Sequence, residues 1–150
     1  MSCTTDIIFV LHDGGSVGTA DFGLLKSFLS QLVDTLDIER SNTRVGLVTF
    51  SSKVGNTIDL NDHLSVAGLQ SAISTLNYSG GSTNTAAALD YVRTVMLTSA
   101  AGDRSDVPNV VVVLTDGPSD NIADTQVRMN VFYLAILKSE ENSDKKRNLT

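Results

Sequence analysis

Three polar stretches hold most of the residues able to do chemistry: His12-Asp13-Gly14-Gly15-Ser16-Val17-Gly18, Gly80-Gly81-Ser82-Thr83-Asn84-Thr85 and Thr115-Asp116-Gly117-Pro118-Ser119-Asp120. The first follows an apolar run and opens a helical pattern, as a dinucleotide loop would. That fingerprint fails: Asp13 stands at its first glycine position and would set a carboxylate against the pyrophosphate, and the second strand ends Thr49-Phe50-Ser51 with no acidic residue for a ribose. No phosphate loop of the Gly-Lys-Ser/Thr kind occurs, and neither His12 nor His63 belongs to a serine or cysteine nucleophile motif, so no catalytic residue is assigned. Zinc would need more than His12 with Asp13 or Asp116, because a single imidazole without a second nitrogen or sulfur is a poor zinc set. A hydrogen-bonded histidine at a strand end accounts for His12, and an exposed helix-start residue accounts for His63.

Regular elements must position these stretches. Asp6 opens Ile7-Ile8-Phe9-Val10-Leu11, an uninterrupted apolar run of the kind that suits a parallel strand covered on both faces. Leu25, Phe28, Leu29, Leu32, Val33 and Leu36 recur at threes and fours, which predicts an amphipathic helix. Arg44 to Phe50 is a second strand, and Lys53 to Leu60 is expected to return as its hairpin partner at the sheet edge. Asn61 or Asp62 is placed to cap a helix carrying Leu64, Leu69, Ile73 and Leu76, which Gly80-Gly81 then breaks. A further helix is expected from Thr83 or Asn84, with Ala88, Leu89, Val92 and Met96 inward. Val110 to Leu114 is the plainest buried strand, and Val131 to Leu137 is the last one expected. This alternation gives an α/β fold: a doubly wound, mostly parallel sheet with one antiparallel edge strand. Ligands of such sheets sit beyond the carboxyl ends of the strands, where all three polar stretches fall.

Composition narrows the partners. The chain has 150 residues, 41% of them hydrophobic, which suits one domain; it is expected over residues 1–137, followed by a charged tail, 138–150. With 19% charged residues and a net charge of -6, there is no basic surface for a phosphate backbone or an anionic membrane, so nucleic acid is excluded as a partner. No apolar run approaches the roughly 20 residues of a bilayer-spanning helix. No basic segment followed by an apolar one stands at the N-terminus, so the chain is expected to be either cytosolic or a piece of a larger protein. Cys3 is the only cysteine, which rules out an internal disulfide, and a lone thiol is usually structurally inert. Asn77-Tyr78-Ser79 and Asn148-Leu149-Thr150 are glycosylation sequons compatible with secretion.

Taken in order, several blocks resemble the von Willebrand factor A domains of matrix and adhesion proteins. They are Asp6-Ile7-Ile8-Phe9-Val10-Leu11 with Ser16-Val17-Gly18, Arg44-Val45-Gly46-Leu47-Val48-Thr49-Phe50, Gly80 through Leu89, and Val110-Val111-Val112-Val113-Leu114-Thr115-Asp116-Gly117. Each block is modest alone, and the ordered set is specific. The resemblance implies a Rossmann-like fold and a non-catalytic, secreted protein-binding module of cell adhesion or extracellular matrix assembly. An adhesion or matrix protein such as collagen would be its partner. An intracellular scaffold domain within a multiprotein complex is the alternative, and Cys3 and the sequons lean toward the matrix type.

The resemblance also implies a metal-ion-dependent adhesion site, in which an Asp-x-Ser-x-Ser loop, a threonine and a distal aspartate hold magnesium through oxygen. By position, Ser16 matches the second serine, Thr83 the threonine and Asp116 the distal aspartate. His12 stands in place of the leading aspartate and Gly14 in place of the first serine, and magnesium binds imidazole poorly. Asp13 could supply the missing charge if the loop shifted, although successive residues leaving a strand point opposite ways. The implied set, Ser16, Thr83, Asp116 and Asp13, is therefore degenerate, with weak magnesium binding or no cofactor. Family members also place a full helix between the Thr-Asp-Gly loop and the next strand. Here only Asn121 to Asn130 separates Asp120 from Val131, and the chain stops soon after Leu137, so the C-terminal part is expected to be shortened. Cys3 would then lack the partner cysteine that follows the final helix in extracellular members.

Overall fold

The run Ile7 to Leu11 forms the middle of β1 (Thr5–His12), and its side chains alternate between two cores, as a two-residue repeat requires. The computed structural model describes residues 4–15 and 17–114, together with the backbone of Ala135–Lys138. β1 pairs in parallel with β2 (Thr43–Phe50) on one side and with β4 (Asn109–Leu114) on the other. β3 (Val54–Ile58) runs antiparallel to β2 at one edge and β5 (Ala135–Lys138) antiparallel to β4 at the other, giving the order β3-β2-β1-β4-β5.

Phe9 and Leu11 join Val45, Leu47 and Leu114 in a core roofed by α1 (Gly18–Asp34) and α2 (Val66–Ser74). On the opposite face Ile8 and Val10 join Val48, Phe50, Val111 and Val113. That core is closed by Ala88 of α3 (Thr85–Tyr91) and by Val92 and Met96 of the π-helical turn Val92–Met96 that continues it. Helices therefore cover both faces, and the sheet is doubly wound as the sequence pattern predicts. β2 is interrupted by a register shift between Val48 and Phe50, where the backbone N–H of Asn56 donates to Thr49 Oγ1 at 2.7 Å instead of to the ladder.

Four expectations are corrected. On α1 the buried stripe is Phe22, Leu25, Leu29 and Val33, while Phe28 stays 47% exposed; Phe22 begins the run of three- and four-residue steps, and Phe28 falls on its flank. The cap of α2 is Ser65, whose hydroxyl accepts from Gly68 N–H, with Glu39 accepting from Val66 N–H. Neither Asn61 nor Asp62 caps it. Asn61 reaches the carbonyl of Ala100 and Asp62 accepts from Asp59 N–H, so both hold the turn before the helix and Leu64 lies exposed. The sheet, finally, has antiparallel strands at both edges rather than one. β5 lies antiparallel on β4, with Val110 opposite Lys138 and Val113 opposite Ala135, where the sequence pattern offers only the β2 edge as antiparallel. β5 also takes in Lys138, which the sequence pattern assigns to the tail. Residues 131–134, the tail from 139 onward, Cys3 and the second sequon lie outside the described residues.

The amino ends of the parallel strands are held by one arginine. Arg104, on the loop before β4, sets its Nε and Nη2 at 2.9 and 2.6 Å from Asp6 Oδ1, and its own backbone N–H donates to Oδ2 at 3.0 Å. Its guanidinium also donates to the carbonyls of Ser41, Thr5 and Asn42, which ties the starts of β1 and β2 together. The carboxylate of Asp6 has no solvent exposure, so burying it depends on this set of donors.

Candidate functional site

At the other end of the sheet β1 finishes in His12. The ring lies on the α3 side, 2% exposed, tilted against Phe50 at 5.2 Å between centroids. Its Nε2 is 2.9 Å from the hydroxyl of Thr83, so the residues that replace the leading aspartate and supply the threonine of the family pattern are in direct contact. Gly14, two residues on, falls on the same side of the extended chain. A Cβ added there would sit 2.3 Å from His12 Nε2 and 2.9 Å from Cε1, so the ring occupies the space that a side chain at 14 would take.

Asp13 turns away from that contact. It is fully buried, its Oδ2 accepts from Ser79 Oγ at 3.0 Å, and Ser79 is in turn 3.1 Å from the Ser51 hydroxyl. Its Oδ1 has no hydrogen-bond partner among the described residues. Asp13 thus partners Ser79 rather than Thr83, as the alternation of directions along an extended chain dictates.

Main-chain hydrogen bonds lace the loops into one surface. Asp13 N–H donates to Phe50 O, Gly80 N–H to Asp13 O, Gly15 N–H to Gly81 O and Asn84 N–H to Ser51 O, all between 2.7 and 2.9 Å. Tyr78, whose ring packs 5.7 Å from that of Phe22, donates its hydroxyl to Gly14 O. Ser82 closes the rim through both its N–H and its hydroxyl on Ser52 Oγ. Gly81 takes φ +108°, a conformation L side chains avoid, and a Cβ there would meet Ser52 Oγ at 2.7 Å, so this position calls for glycine twice over. Asn84 then caps α3 by accepting from Ala87 N–H. Gly15, Ser52, Ser79, Gly81 and Ser82 are exposed, so the outer rim is short hydroxyls and bare backbone.

Of the residues singled out from sequence, the structure brings His12, Gly14 and Thr83 together and sets Asp13 apart with Ser79. Ser16 and Asp116 lie outside the described residues. Ser51, Ser52, Tyr78 and Ser79 were not foreseen as part of the site. Ser51 and Ser52 directly follow the carboxyl end of a buried parallel strand, a position that could have marked them; Tyr78 and Ser79 carry the signals of the Asn77-Tyr78-Ser79 sequon and of proximity to Gly80, neither of which points to this site.

The described part of this cluster does not fit a magnesium site. An imidazole sits where a carboxylate should be and fills the place of a serine, and no group of three or more His, Cys, Asp or Glu able to hold a metal occurs among the described residues. Among those residues, too, no helix is long and apolar enough to cross a membrane.

With this geometry in hand, the chain can be set beside known proteins. It is 36% identical to matrilin-1 of Homo sapiens over 128 residues, covering 83% of this chain and 26% of matrilin-1. It is 29% identical to vitrin of Mus musculus over 141 residues, 90% of this chain and 22% of vitrin. Against the collagen alpha-4(VI) chain of Mus musculus it is 33% identical over 137 residues, 87% of this chain and 6% of the collagen chain. It therefore spans about a quarter or less of these relatives. Among solved structures, proximal thread matrix protein 1 from the mussel byssus superposes with a TM-score of 0.73 at 26% identity, over 81% of this chain and 33% of that one. A structure of the same mussel protein with a zinc-occupied MIDAS motif, the metal-ion-dependent adhesion site, gives a TM-score of 0.72 at 26% identity, over 82% of this chain and 33% of that one. The von Willebrand factor type A domain family matches residues 6–146, and the chain belongs to it.

Proposed function

We propose that this domain is a non-catalytic protein-binding module of the extracellular matrix, secreted as part of a larger protein. It engages a matrix partner such as a collagen through the loop rim at the carboxyl end of its sheet. One observation carries the reading: the loops after β1 and β2 and before α3 form a single surface held by direct hydrogen bonds, with small hydroxyl side chains and bare backbone outward. Such a rim lets a partner's backbone approach closely and supplies donors and acceptors, with the exposed Lys53 as a charge beside it in the loop after β2. The names of its relatives, a collagen VI chain and a byssal matrix protein among them, support the same setting. Of the oxygen set implied by the family pattern, Ser16, Thr83, Asp116 and Asp13, the described members Thr83 and Asp13 lie at this surface. With His12 and Gly14 among them, divalent metal contributes weakly or not at all.

The test is binding of the chain to a panel of immobilised matrix proteins that includes native collagens I and VI, in magnesium and in EDTA. Saturable binding that changes less than about twofold between the two buffers is expected. Ser82→Arg, which plants a long charged side chain on the exposed rim, should weaken binding about tenfold or more, the scale of one good interface contact. Binding to no member of the panel, or binding indifferent to the rim variant, removes the reading.

A further inference from the structure

We infer that the imidazole of His12 takes over the bridging task of a metal ion in this domain, with Gly14 as its obligatory steric companion. The two departures from the family pattern are then one substitution. His12 Nε2 lies 2.9 Å from Thr83 Oγ1, so the position of the family's leading aspartate and the position of its threonine meet in a direct side-chain contact. The ring that makes this bond needs the volume beside position 14, where a Cβ would come within 2.3 Å of Nε2. That overlap is far inside any real contact and involves a buried ring wedged against Phe50, which cannot swing aside as a surface side chain would.

The backbone gives no separate reason for glycine there. Gly18, Gly80, Gly81 and Gly102 are the described glycines with positive φ, and Gly14 is not among them. A side chain at 14 is thus conformationally allowed and sterically refused, chiefly by His12; the next neighbour, Gly81 O at 3.0 Å, is tight without overlapping. A large residue at 12 forces the smallest at 14 because positions two apart on an extended chain share a side. The surrounding bonds, Gly80 N–H to Asp13 O, Gly15 N–H to Gly81 O and Tyr78 to Gly14 O, leave the two loops set directly against each other.

This holds whatever partner the domain binds, because the experiment reads folding and metal uptake instead of adhesion. Melting temperatures of the chain are compared in EDTA and in magnesium for the wild type, Gly14→Ser, His12→Asp and the double variant. The wild type should melt at the same temperature in both. Gly14→Ser alone should lose on the order of 5 °C or more, and the same change in the His12→Asp background should cost little. The double variant should also gain magnesium affinity by calorimetry and melt higher when the ion is present. Should Gly14→Ser fail to fold, recovery by His12→Asp reads the same coupling, and failure to recover counts against it. Thr83→Ser, which keeps the hydroxyl, should melt closer to wild type than Thr83→Val does. Equal losses from Gly14→Ser in both backgrounds, or a wild type that melts lower in EDTA, would overturn the inference.

Discussion

The two ends of the parallel sheet both bury an aspartate of β1 or its exit, and they treat it differently. At the amino end Asp6 is surrounded by donors: the Arg104 guanidinium takes Oδ1 twice and the Arg104 backbone takes Oδ2. At the carboxyl end Asp13, equally buried, has one serine hydroxyl on Oδ2 and nothing on Oδ1 among the described residues. A buried carboxylate is tolerable when its lone pairs are met and costly when they are not. Asp6 is therefore the better satisfied of the two, although Arg44 Nε, Asp103 Oδ1 and Asn109 Oδ1, toward the same end, are also buried without a hydrogen-bond partner among the described residues. Among the described residues, Asp13 leaves one acceptor unmet beside the rim proposed for binding, as sites that trade stability for function do.

The sharpest way to break that contrast is at the arginine. Arg104→Met keeps most of the apolar stem and the backbone N–H on Oδ2, but removes both guanidinium donors to Oδ1 and leaves a buried charge without its counter-ion, so a loss of about 3–5 kcal/mol is expected in urea denaturation. Because the pair lies at the far end of the sheet, folded Arg104→Met should retain its partner affinity. A loss near zero would mean that Asp6 is reached by water when unpaired and that the two ends are alike after all.

Neutralising each aspartate sharpens the same comparison at lower amplitude. Asp6→Asn replaces an acceptor facing two guanidinium donors with an amide, and should cost about 2–3 kcal/mol, the range for a hydrogen bond to a charged group broken in the interior. Asp13→Asn keeps a carbonyl for Ser79 and removes a charge with an unmet oxygen, so its effect should fall within about 1 kcal/mol of zero, in either direction. Chemical denaturation of both variants in one buffer decides it. Equal losses would show that the charge on Asp13 is balanced by a partner beyond the described residues.

Much of this was legible beforehand, and the reasons differ from place to place. The parity of Ile7 to Leu11 and the run Val110 to Leu114 fixed the central strands, because a covered parallel strand leaves an unbroken apolar signature. Asn84 could be named within one residue as the start of α3 because Gly80-Gly81 ends what precedes it. The α2 cap was missed because Asn61, Asp62 and Ser65 are all competent cap residues, and only the tertiary partners of the first two, Ala100 and the Asp59 turn, assign Ser65 the role. Asp6 with Arg104 was illegible for another reason: 98 positions part them, and no local period connects such residues. The His12–Gly14 coupling lay between these cases. Their two-residue spacing was visible, but the sequence showed two losses from a pattern, and only the position of the ring makes them one event.

The smallest expected effect qualifies the contrast at the amino end, toward which β3 returns before the chain leaves it at Asp59. Burial pushes the Asp59 carboxyl above its ordinary value of 3.8, and the neighbouring Asp62 pushes it further in the same direction. An acid whose folded pKa is raised holds its proton more tightly in the native state. Its stabilising contribution is therefore complete below 3.8 and is lost as pH climbs through the raised value. At neutral pH the charged Asp59 is a net burden, and Asp59→Asn should melt slightly higher than wild type at pH 7, with the advantage shrinking as the pH falls toward 3. Since Asp59 is partly exposed, solvent screening limits the gain to under about 0.5 kcal/mol, or about 1–2 °C. Added salt should reduce the share due to Asp62 and leave the share due to burial. A variant that melts lower than wild type at pH 7 would mean that the Asp59 carboxylate, like that of Asp6, has found donors enough to favour its charge.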